Sequence, residues 1–238
     1  MQRFFIEKNW IEERKIFITD KNLIHQLRNV LRIKDNEKII FLDNNGFEYL
    51  CKIIKYEKNS VEAEIVEKKE NSNEISNEIY IYQALPKQLS RFEFVLQKGT
   101  ELGVRGFVPL VTQRCERREI KNRDRLKIII KEAAEQCGRG ILPELFDIVD
   151  FQKLLLNKPL GQNIIAYEGE NIENSLSNLI KILNLNERIN IFIGPEGGFE
   201  FSEIEKAVKS DFFRFSLGSL ILRTETAGIA IASRLIFH

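Results

Sequence analysis

The sequence has few of the residues that bind metals or form disulfides. Its 238 residues include three cysteines and two histidines. The cysteines, Cys51, Cys115 and Cys137, form no CxxC pair, which predicts free thiols in a reducing compartment. The histidines, His25 and His238, are too few for a typical His-based zinc site, so no metal is expected.

Long hydrophobic runs and a targeting signal are also missing. No apolar stretch approaches the roughly 18 residues that a membrane-spanning helix needs. Residues 1–15 lack the apolar core and the cleavage site of a signal peptide, so a cytoplasmic location is expected. The hydrophobic fraction of 43% and the charged fraction of 30% are typical of a globular protein and not of a disordered one.

Charge is distributed unevenly along the chain, although its net value is only +1. Residues 86–140 hold 13 basic and 7 acidic side chains, whereas residues 141–238 hold 9 basic and 13 acidic ones. Eight of the middle cations are arginines, which suit bidentate contact with phosphates and bases. This pattern predicts nucleic acid bound by one part of the chain and a different ligand by another; scattered, solvated charges are the alternative.

Two kinds of hydrophobic pattern divide the chain. Strand-like runs and one amphipathic helix in residues 1–69 predict a small β-barrel. Residues 70–77, ENSNEISN, lack apolar periodicity and are rich in turn formers, so we expect two domains, 1–70 and 78–238. Strands then alternate with helices, one of them over 172–183, which predicts an α/β fold with a parallel sheet covered by helices on both faces.

Two glycine-marked loops follow neighbouring predicted strands near the C-terminus. The first is GPEGG at 194–198 and the second covers 218–224. Ligands of open α/β sheets bind at the carboxyl ends of strands, and glycine lets the backbone approach them closely. Neither loop has the GxxxxGK[ST] or GxGxxG pattern, and Glu196 would repel a phosphate. A nucleoside carrying a sulfonium is favoured, and two turns without a ligand are the alternative.

The residues at the end of the second loop permit two interpretations. The apolar residues 220–222 either form the wall of a base pocket or belong to the core. Thr224 can cap the last helix and Glu225 suits its dipole, so Arg223 and Glu225 either serve the chemistry or only begin a helix. The small apolar residues 227–233 pack either in the core or against a second subunit.

Several motifs together resemble the ribosomal small-subunit methyltransferase E family, SPOUT-class enzymes that methylate uridine N3 in 16S rRNA. In chain order the motifs are Arg3-Phe4-Phe5, His25-x-Leu27-x-x-Val30-Leu31-Arg32, KGTELGV at 98–104, EAAEQCGR at 132–139, GPEGGF at 194–199 and LGSLILRTETA at 217–227. Their joint occurrence over the whole chain is specific. Two departures are Leu220, where the family often has arginine, and Gly99, where alanine is usual and glycine costs about 1 kcal/mol of helix propensity.

The resemblance implies a fold, a cofactor and partners. It implies a SPOUT domain, a trefoil-knotted parallel sheet with helices on both faces, over residues 78–238. It also implies a PUA-like RNA-binding β-barrel over residues 1–70. S-adenosyl-L-methionine would bind in the knot of a homodimer, and the substrate would be 16S rRNA in the decoding region of the small ribosomal subunit. The alternatives are a SPOUT methyltransferase with another RNA target and a non-catalytic RNA-binding assembly protein, in which a degraded cofactor loop is expected.

The resemblance also implies site residues. The expected cofactor contacts are Gly194, Glu196, Gly197, Gly198, Leu217, Gly218, Leu220, Ile221, Leu222, Thr226 and Ala227. The expected RNA contacts are Arg3, Arg28, Arg32, Arg114, Arg117, Arg118 and Arg139. Uridine N3 must lose a proton before it attacks the methyl group, so Glu225 is the candidate base and Arg223 the candidate stabiliser of the uridine anion.

Overall fold

Two separate sheets are found in a computed structural model that describes residues 1–170 and 174–237. Contacts divide the chain into two units. The first combines Met1–Glu74 with Ala134–Leu142, and the second combines Ile75–Ala133 with Pro143–His238. The first unit is therefore not continuous in sequence.

The first unit is a six-stranded sheet with one short helix. Its strands are β1 (Arg3–Phe5), β2 (Ile11–Glu12), β3 (Lys15–Ile18), β4 (Lys38–Leu42), β5 (Phe47–Tyr56) and β6 (Val61–Glu70). They lie in the order β1-β4-β5-β6-β3-β2, and only the β1–β4 pair among these described strands is parallel. The helix α1 (Lys21–His25) begins at Asp20, whose carboxylate accepts from the Leu23 amide, and it continues as a π-helical turn, Gln26–Val30.

Polar side chains from the predicted linker hold the second segment of the first unit. The side-chain amides of Asn71 and Asn73 donate to the Gly138 carbonyl over 3.1 and 2.9 Å. The Glu74 carboxylate accepts from the buried Arg139 guanidinium at 3.0 Å and from the two following backbone amides. Residues 71–74 thus make hydrogen bonds within the first unit and are not an unstructured linker. The domain boundary at 70–77 stays a prediction.

The second unit is built on a parallel sheet. Its strands are β7 (Ile79–Ala84), β8 (Gly106–Val111), β9 (Glu144–Leu145), β10 (Val149–Asp150), β11 (Gln162–Ala166), β12 (Ile189–Ile193) and β13 (Phe213–Phe215). The order is β10-β8-β7-β12-β11-β13, with β9 also paired to β8, and every one of these pairs is parallel. The predicted parallel sheet is confirmed.

Helices cover both faces of this sheet, as predicted. They are α2 (Leu89–Leu102), α3 (Arg123–Cys137), α4 (Phe151–Leu156), α5 (Leu176–Ile180), α6 (Phe201–Lys209) and α7 (Thr224–Ile236). Strand β12 shows the alternation, because Ile191 and Ile193 pack with α2, α3, α5 and α7, whereas Phe192 packs with α4 and α6. The helix predicted over 172–183 corresponds to α5, and its residues 172–173 lie outside the described part of the chain.

A helix that crosses a membrane must be long and apolar. No helix within 1–170 and 174–237 is long and apolar enough to cross a bilayer.

Candidate functional site

A cavity of about 490 Å³ lies at the carboxyl ends of three neighbouring strands, β11, β12 and β13. The loops that follow these strands form most of its wall, and Arg91 of α2 and Ala227 of α7 complete it. This volume falls in the range of small-molecule sites, roughly 300–1,000 Å³. The cavity thus occupies the position where open parallel sheets bind ligands.

The first glycine loop folds back on itself. A Cβ atom on Gly194 would lie 3.0 Å from the carbonyl carbon of Gly198, so the loop leaves no room for a side chain there. The Glu196 carboxylate accepts from the Lys87 amide over 3.1 Å and from the Arg91 guanidinium over 3.2 Å. These two bonds tie the loop to the start of α2.

The second glycine loop is more open. Gly218 has a φ of 109°, a left-handed conformation that favours glycine, and a Cβ atom on it would meet no other atom of the described chain within 4 Å. Leu220 and Ile221 are 77% and 83% exposed, so they are pocket wall and not core. Leu222 lines the cavity and also packs against the core of the second unit.

The charged lining of the cavity has an excess of carboxylates. Glu168 and Glu170 follow β11, and Glu196 belongs to the first loop. Arg91 and Arg223 are the two arginines among the lining residues. Glu170 is already paired with Arg214, and Glu196 with Arg91. Glu168 is therefore the lining carboxylate whose charge favours a positively charged ligand.

The start of α7 differs from the prediction. The N-cap residue is Arg223, whose side chain makes no capping bond, and the predicted cap at Thr224 is wrong. The Thr224 hydroxyl instead donates to the Gly194 carbonyl over 2.5 Å, because the first loop lies directly beside it. The Glu225 side chain is 13% exposed, with Oε1 4.0 Å from Nε of Arg91. Its Oε2 is buried and has no hydrogen-bond partner in the described part of the chain.

Two domain families match the chain. Residues 73–236 match the RNA methyltransferase domain, and residues 18–66 match the RNA methyltransferase PUA domain. The ribosomal RNA small subunit methyltransferase E of Bacillus subtilis (strain 168) is 33% identical over 249 residues, which span 100% of this chain and 97% of that protein. The chain belongs to the ribosomal RNA small subunit methyltransferase E family. The member from Mesomycoplasma hyopneumoniae (strain 232) is also 33% identical, over 99% of each chain.

Solved structures of this family share the fold. The ribosomal RNA small subunit methyltransferase E from Neisseria gonorrhoeae, bound to S-adenosyl methionine, matches with a TM-score of 0.88 and 31% identity over 99% of this chain and 96% of that one. A putative methyltransferase from Legionella pneumophila, in complex with the same cofactor, matches with a TM-score of 0.80 and 27% identity over 98% and 96%. The predicted family, the α/β class and the N-terminal PUA domain are confirmed.

Most of the predicted cofactor residues lie together around the cavity. Those in the lining are Gly194, Glu196, Gly198, Leu217, Gly218, Leu220, Ile221, Leu222 and Ala227. Gly197 and Thr226 are not in the lining: the Gly197 carbonyl accepts from Arg114 over 2.6 Å, and Thr226 is exposed in the first turn of α7. Of the predicted catalytic pair, Arg223 lines the cavity and Glu225 does not.

The predicted RNA-binding arginines of the first unit differ in exposure. Arg32 is exposed, Arg28 donates to the Glu57 carbonyl, and Arg3 is half-buried. Arg139 is only 3% exposed because its guanidinium is paired with Glu74. The prediction for Arg139 is therefore corrected, since a buried and paired guanidinium is not presented to a nucleic acid.

The predicted RNA-binding arginines of the second unit lie in the loop after β8. Arg114 donates to Glu200 over 2.8 Å, and this hydrogen bond lowers the pKa of the Glu200 carboxyl. Arg117 donates to the Lys87 carbonyl over 3.1 Å, and Arg118 is exposed. Two of the three guanidiniums therefore lie beside residues that shape the first glycine loop.

Several residues of the site were not predicted. Glu168 and Glu170 follow β11 directly, so the rule that ligands lie at strand ends contained the signal for them. Arg91 lies on α2, and the sequence pattern around it indicates only an exposed helix face, with no sign of a ligand contact.

Metal binding has no support in the described ranges. Within 1–170 and 174–237, no three His, Cys, Asp or Glu side chains form a group that could hold a metal ion. His238 lies outside these residues.

Proposed function

We propose that this protein is an S-adenosyl-L-methionine-dependent rRNA methyltransferase that modifies N3 of a uridine in 16S rRNA of the small ribosomal subunit. The observation that carries the proposal is a backbone-walled, carboxylate-rich cavity at the strand ends of a chain that belongs to the methyltransferase E family. The names of its relatives state that they methylate small-subunit ribosomal RNA, and two related structures hold S-adenosyl methionine.

The residues present fit this cofactor. Gly218 leaves open space beside the backbone, and Leu220 and Ile221 offer exposed apolar surface for an adenine ring. Glu168 supplies negative charge for the positively charged groups of the cofactor, whereas Glu170 is already paired with Arg214. When bound, the cofactor supplies a methyl group on a positively charged sulfur.

We propose that Arg223 and Glu225 act on the uridine. Arg223 is exposed at the cavity edge, where its guanidinium would stabilise the anion left on the base. Glu225 does not line the cavity, and the support for its role is a buried oxygen with no hydrogen-bond partner in the described ranges, which would accept the N3 proton where the bound uridine reaches it. Arg91 lies beside the other oxygen and holds the carboxylate in place.

The RNA would be held by arginines of both units. We propose Arg3, Arg28 and Arg32 on the PUA domain and Arg114, Arg117 and Arg118 on the methyltransferase domain. Their support is the excess of basic residues between 86 and 140 and the PUA match over residues 18–66. Phosphate contacts by such residues position a nucleic acid without reading its sequence.

The test is primer extension on small-subunit rRNA from cells with and without the protein. Methylation at N3 blocks base pairing, so reverse transcriptase stops at the modified uridine. We expect the stop to vanish on deletion, to return with the wild-type gene and to remain absent with Arg223→Ala, although that variant still binds the cofactor. A stop that survives deletion would contradict the proposal, and loss of a modification elsewhere would indicate another RNA target.

We also propose that the second unit is a trefoil-knotted SPOUT domain. The support is that α7 follows the edge strand β13 yet packs on the central strands β7 and β12 and on α2. The chain must therefore return across the sheet after residue 215. An experimental backbone trace in which this return does not pass through a loop would overturn the knot.

We propose that the protein acts in the cytoplasm, where ribosomal RNA is found. The proposed assembly is a homodimer. Large apolar side chains on α2, after α7 and on the second loop support it: Phe94 is 43% exposed, Phe237 is 66% exposed, and Leu220 and Ile221 are more exposed still. Exposed apolar side chains of this size would be buried where two copies of the chain meet. A monomer in sedimentation equilibrium at micromolar concentration would contradict the dimer, and recovery in the membrane fraction would contradict the location.

A further inference from the structure

Three buried polar groups connect β7, α7 and the first glycine loop. Gln83, at 1% exposure, donates from Nε2 to the Thr224 hydroxyl over 2.7 Å and to the Ala84 carbonyl over 3.2 Å. Thr224, at 7% exposure, donates to the Gly194 carbonyl over 2.5 Å. None of this network was visible in the sequence, because Gln83 and Thr224 are 141 positions apart.

The direction of these hydrogen bonds is set by chemistry. The Gly194 carbonyl can only accept, so the single proton of the Thr224 hydroxyl points toward it. The hydroxyl must then accept from its other neighbour, which requires the nitrogen side of the Gln83 amide. Gln83 thereby keeps the hydroxyl oriented, and the hydroxyl keeps the loop carbonyl in place.

Stability alone does not account for a glutamine at this position. Its Oε1 is buried and has no hydrogen-bond partner within the described ranges, and a buried acceptor without a partner destabilises the folded state. Oε1 lies 3.4 Å from where a Cβ would stand on Gly228, so α7 approaches it closely. A methionine of similar length would leave no orphan atom. The glutamine is therefore explained better by the hydrogen bond that its amide nitrogen donates to the Thr224 hydroxyl.

We propose that Gln83 is a positioning residue for S-adenosyl-L-methionine, which it does not touch, and that it acts through Thr224 on the Gly194 carbonyl. The proposal rests on the proposed function. The network joins the two glycine loops, because Gly194 begins the first and Thr224 ends the second. It therefore keeps both walls of the cavity in the geometry that binds the cofactor.

The test is a double-mutant cycle read by isothermal titration calorimetry with S-adenosyl-L-methionine on the full chain. Thr224→Val keeps the shape and removes the hydroxyl, and Gln83→Met removes the amide. We expect about tenfold weaker binding for Thr224→Val and about threefold for Gln83→Met, in line with loss of one buried hydrogen bond and of its support. The double variant should bind no more weakly than Thr224→Val, because Gln83 acts only through that hydroxyl.

Controls separate positioning from folding. Thr224→Ser keeps the hydroxyl and should bind within about twofold of the wild type. Gln83→Met should have a thermal unfolding midpoint at or above that of the wild type, since it removes an orphan buried acceptor, a result that a purely structural role would not give. Additive losses in the double variant, or unchanged affinity in both single variants, would overturn the inference. A wild-type protein that does not bind S-adenosyl-L-methionine would instead contradict the proposed function.

Discussion

Cys51 lies in the core of the first unit with none of its surface exposed. Burial penalises the thiolate and raises the pKa of this thiol from 9.0 to about 12. In the unfolded chain the proton leaves near pH 9, so the unfolded state gains stability first as the pH rises. The contribution is fully present below pH 9 and is lost between pH 9 and about 12.

This shift predicts a pH-dependent difference between the wild type and Cys51→Ala. Between about pH 9 and 10.5 the wild type should lose roughly 1.5 kcal/mol more of its free energy of unfolding than the variant, which has no thiol to ionise. Urea denaturation at several pH values measures both curves. Parallel curves would show that Cys51 does not carry the effect.

Individual residues also show what the sequence could predict of the site. Gly194 and Gly218 were predicted because glycine marks places where a backbone folds tightly or turns left-handed, which are local properties. Gln83 and the hydroxyl bond of Thr224 depend on a contact across 141 positions. The local sequence predicts that Thr224 caps α7. In the structure its hydroxyl donates instead to the Gly194 carbonyl, because the first glycine loop packs beside it.

At the scale of elements, α2 carries Gly99, where the family resemblance leads us to expect alanine. A Cβ on Gly99 would lie 2.6 Å from Cε1 of Phe107, a fully buried ring of β8. The ring therefore occupies the space that an alanine would need. The helix-propensity cost of the glycine is offset by the packing of the larger aromatic side chain.

We predict that Gly99→Ala destabilises the protein by about 1–3 kcal/mol, because overpacking outweighs the gain of about 1 kcal/mol in helix propensity. In a Phe107→Leu background the same change should stabilise, since the smaller side chain leaves room for the methyl group. Urea unfolding of the four proteins measures both effects. Stabilisation by Gly99→Ala in the wild-type background would refute the clash.

The elements themselves were predicted with uneven success. Strand-like runs between turn formers predict strands over 38–42, 47–56, 79–84 and 106–111, and these are the bounds of β4, β5, β7 and β8. The sequence pattern also predicts a strand over 144–149, where the structure has the two short strands β9 and β10. The apolar run at 212–217 predicts a final strand of that length, whereas β13 covers only Phe213–Phe215. Edge strands are shorter because only one neighbouring strand supplies hydrogen bonds. The local sequence does not indicate which strands lie at an edge, so their lengths were not predicted.

At the scale of the molecule, the basic middle segment predicts salt-dependent RNA binding. Arg118→Glu should weaken binding to a small-subunit rRNA fragment and reduce the slope of log affinity against log salt by roughly 0.7–0.9, the loss of one phosphate contact. Lys209→Glu, at the exposed end of α6, changes net charge equally and serves as the control. Fluorescence anisotropy at several salt concentrations measures both slopes. Equal slopes would indicate a solvated charge at Arg118.

The interrupted first unit has a consequence for synthesis on the ribosome. Its first part ends at residue 74 and its second ends at residue 142, 68 residues later. At about 5–20 residues per second, translation of that interval takes roughly 3 to 14 seconds. During this time Glu74 has no Arg139 to pair with and Asn71 has no Gly138 carbonyl to bind. The N-terminal sheet is thus synthesised first, but its unit is completed only after all of α3 has been synthesised, so its final packing waits for a segment that follows it in the chain.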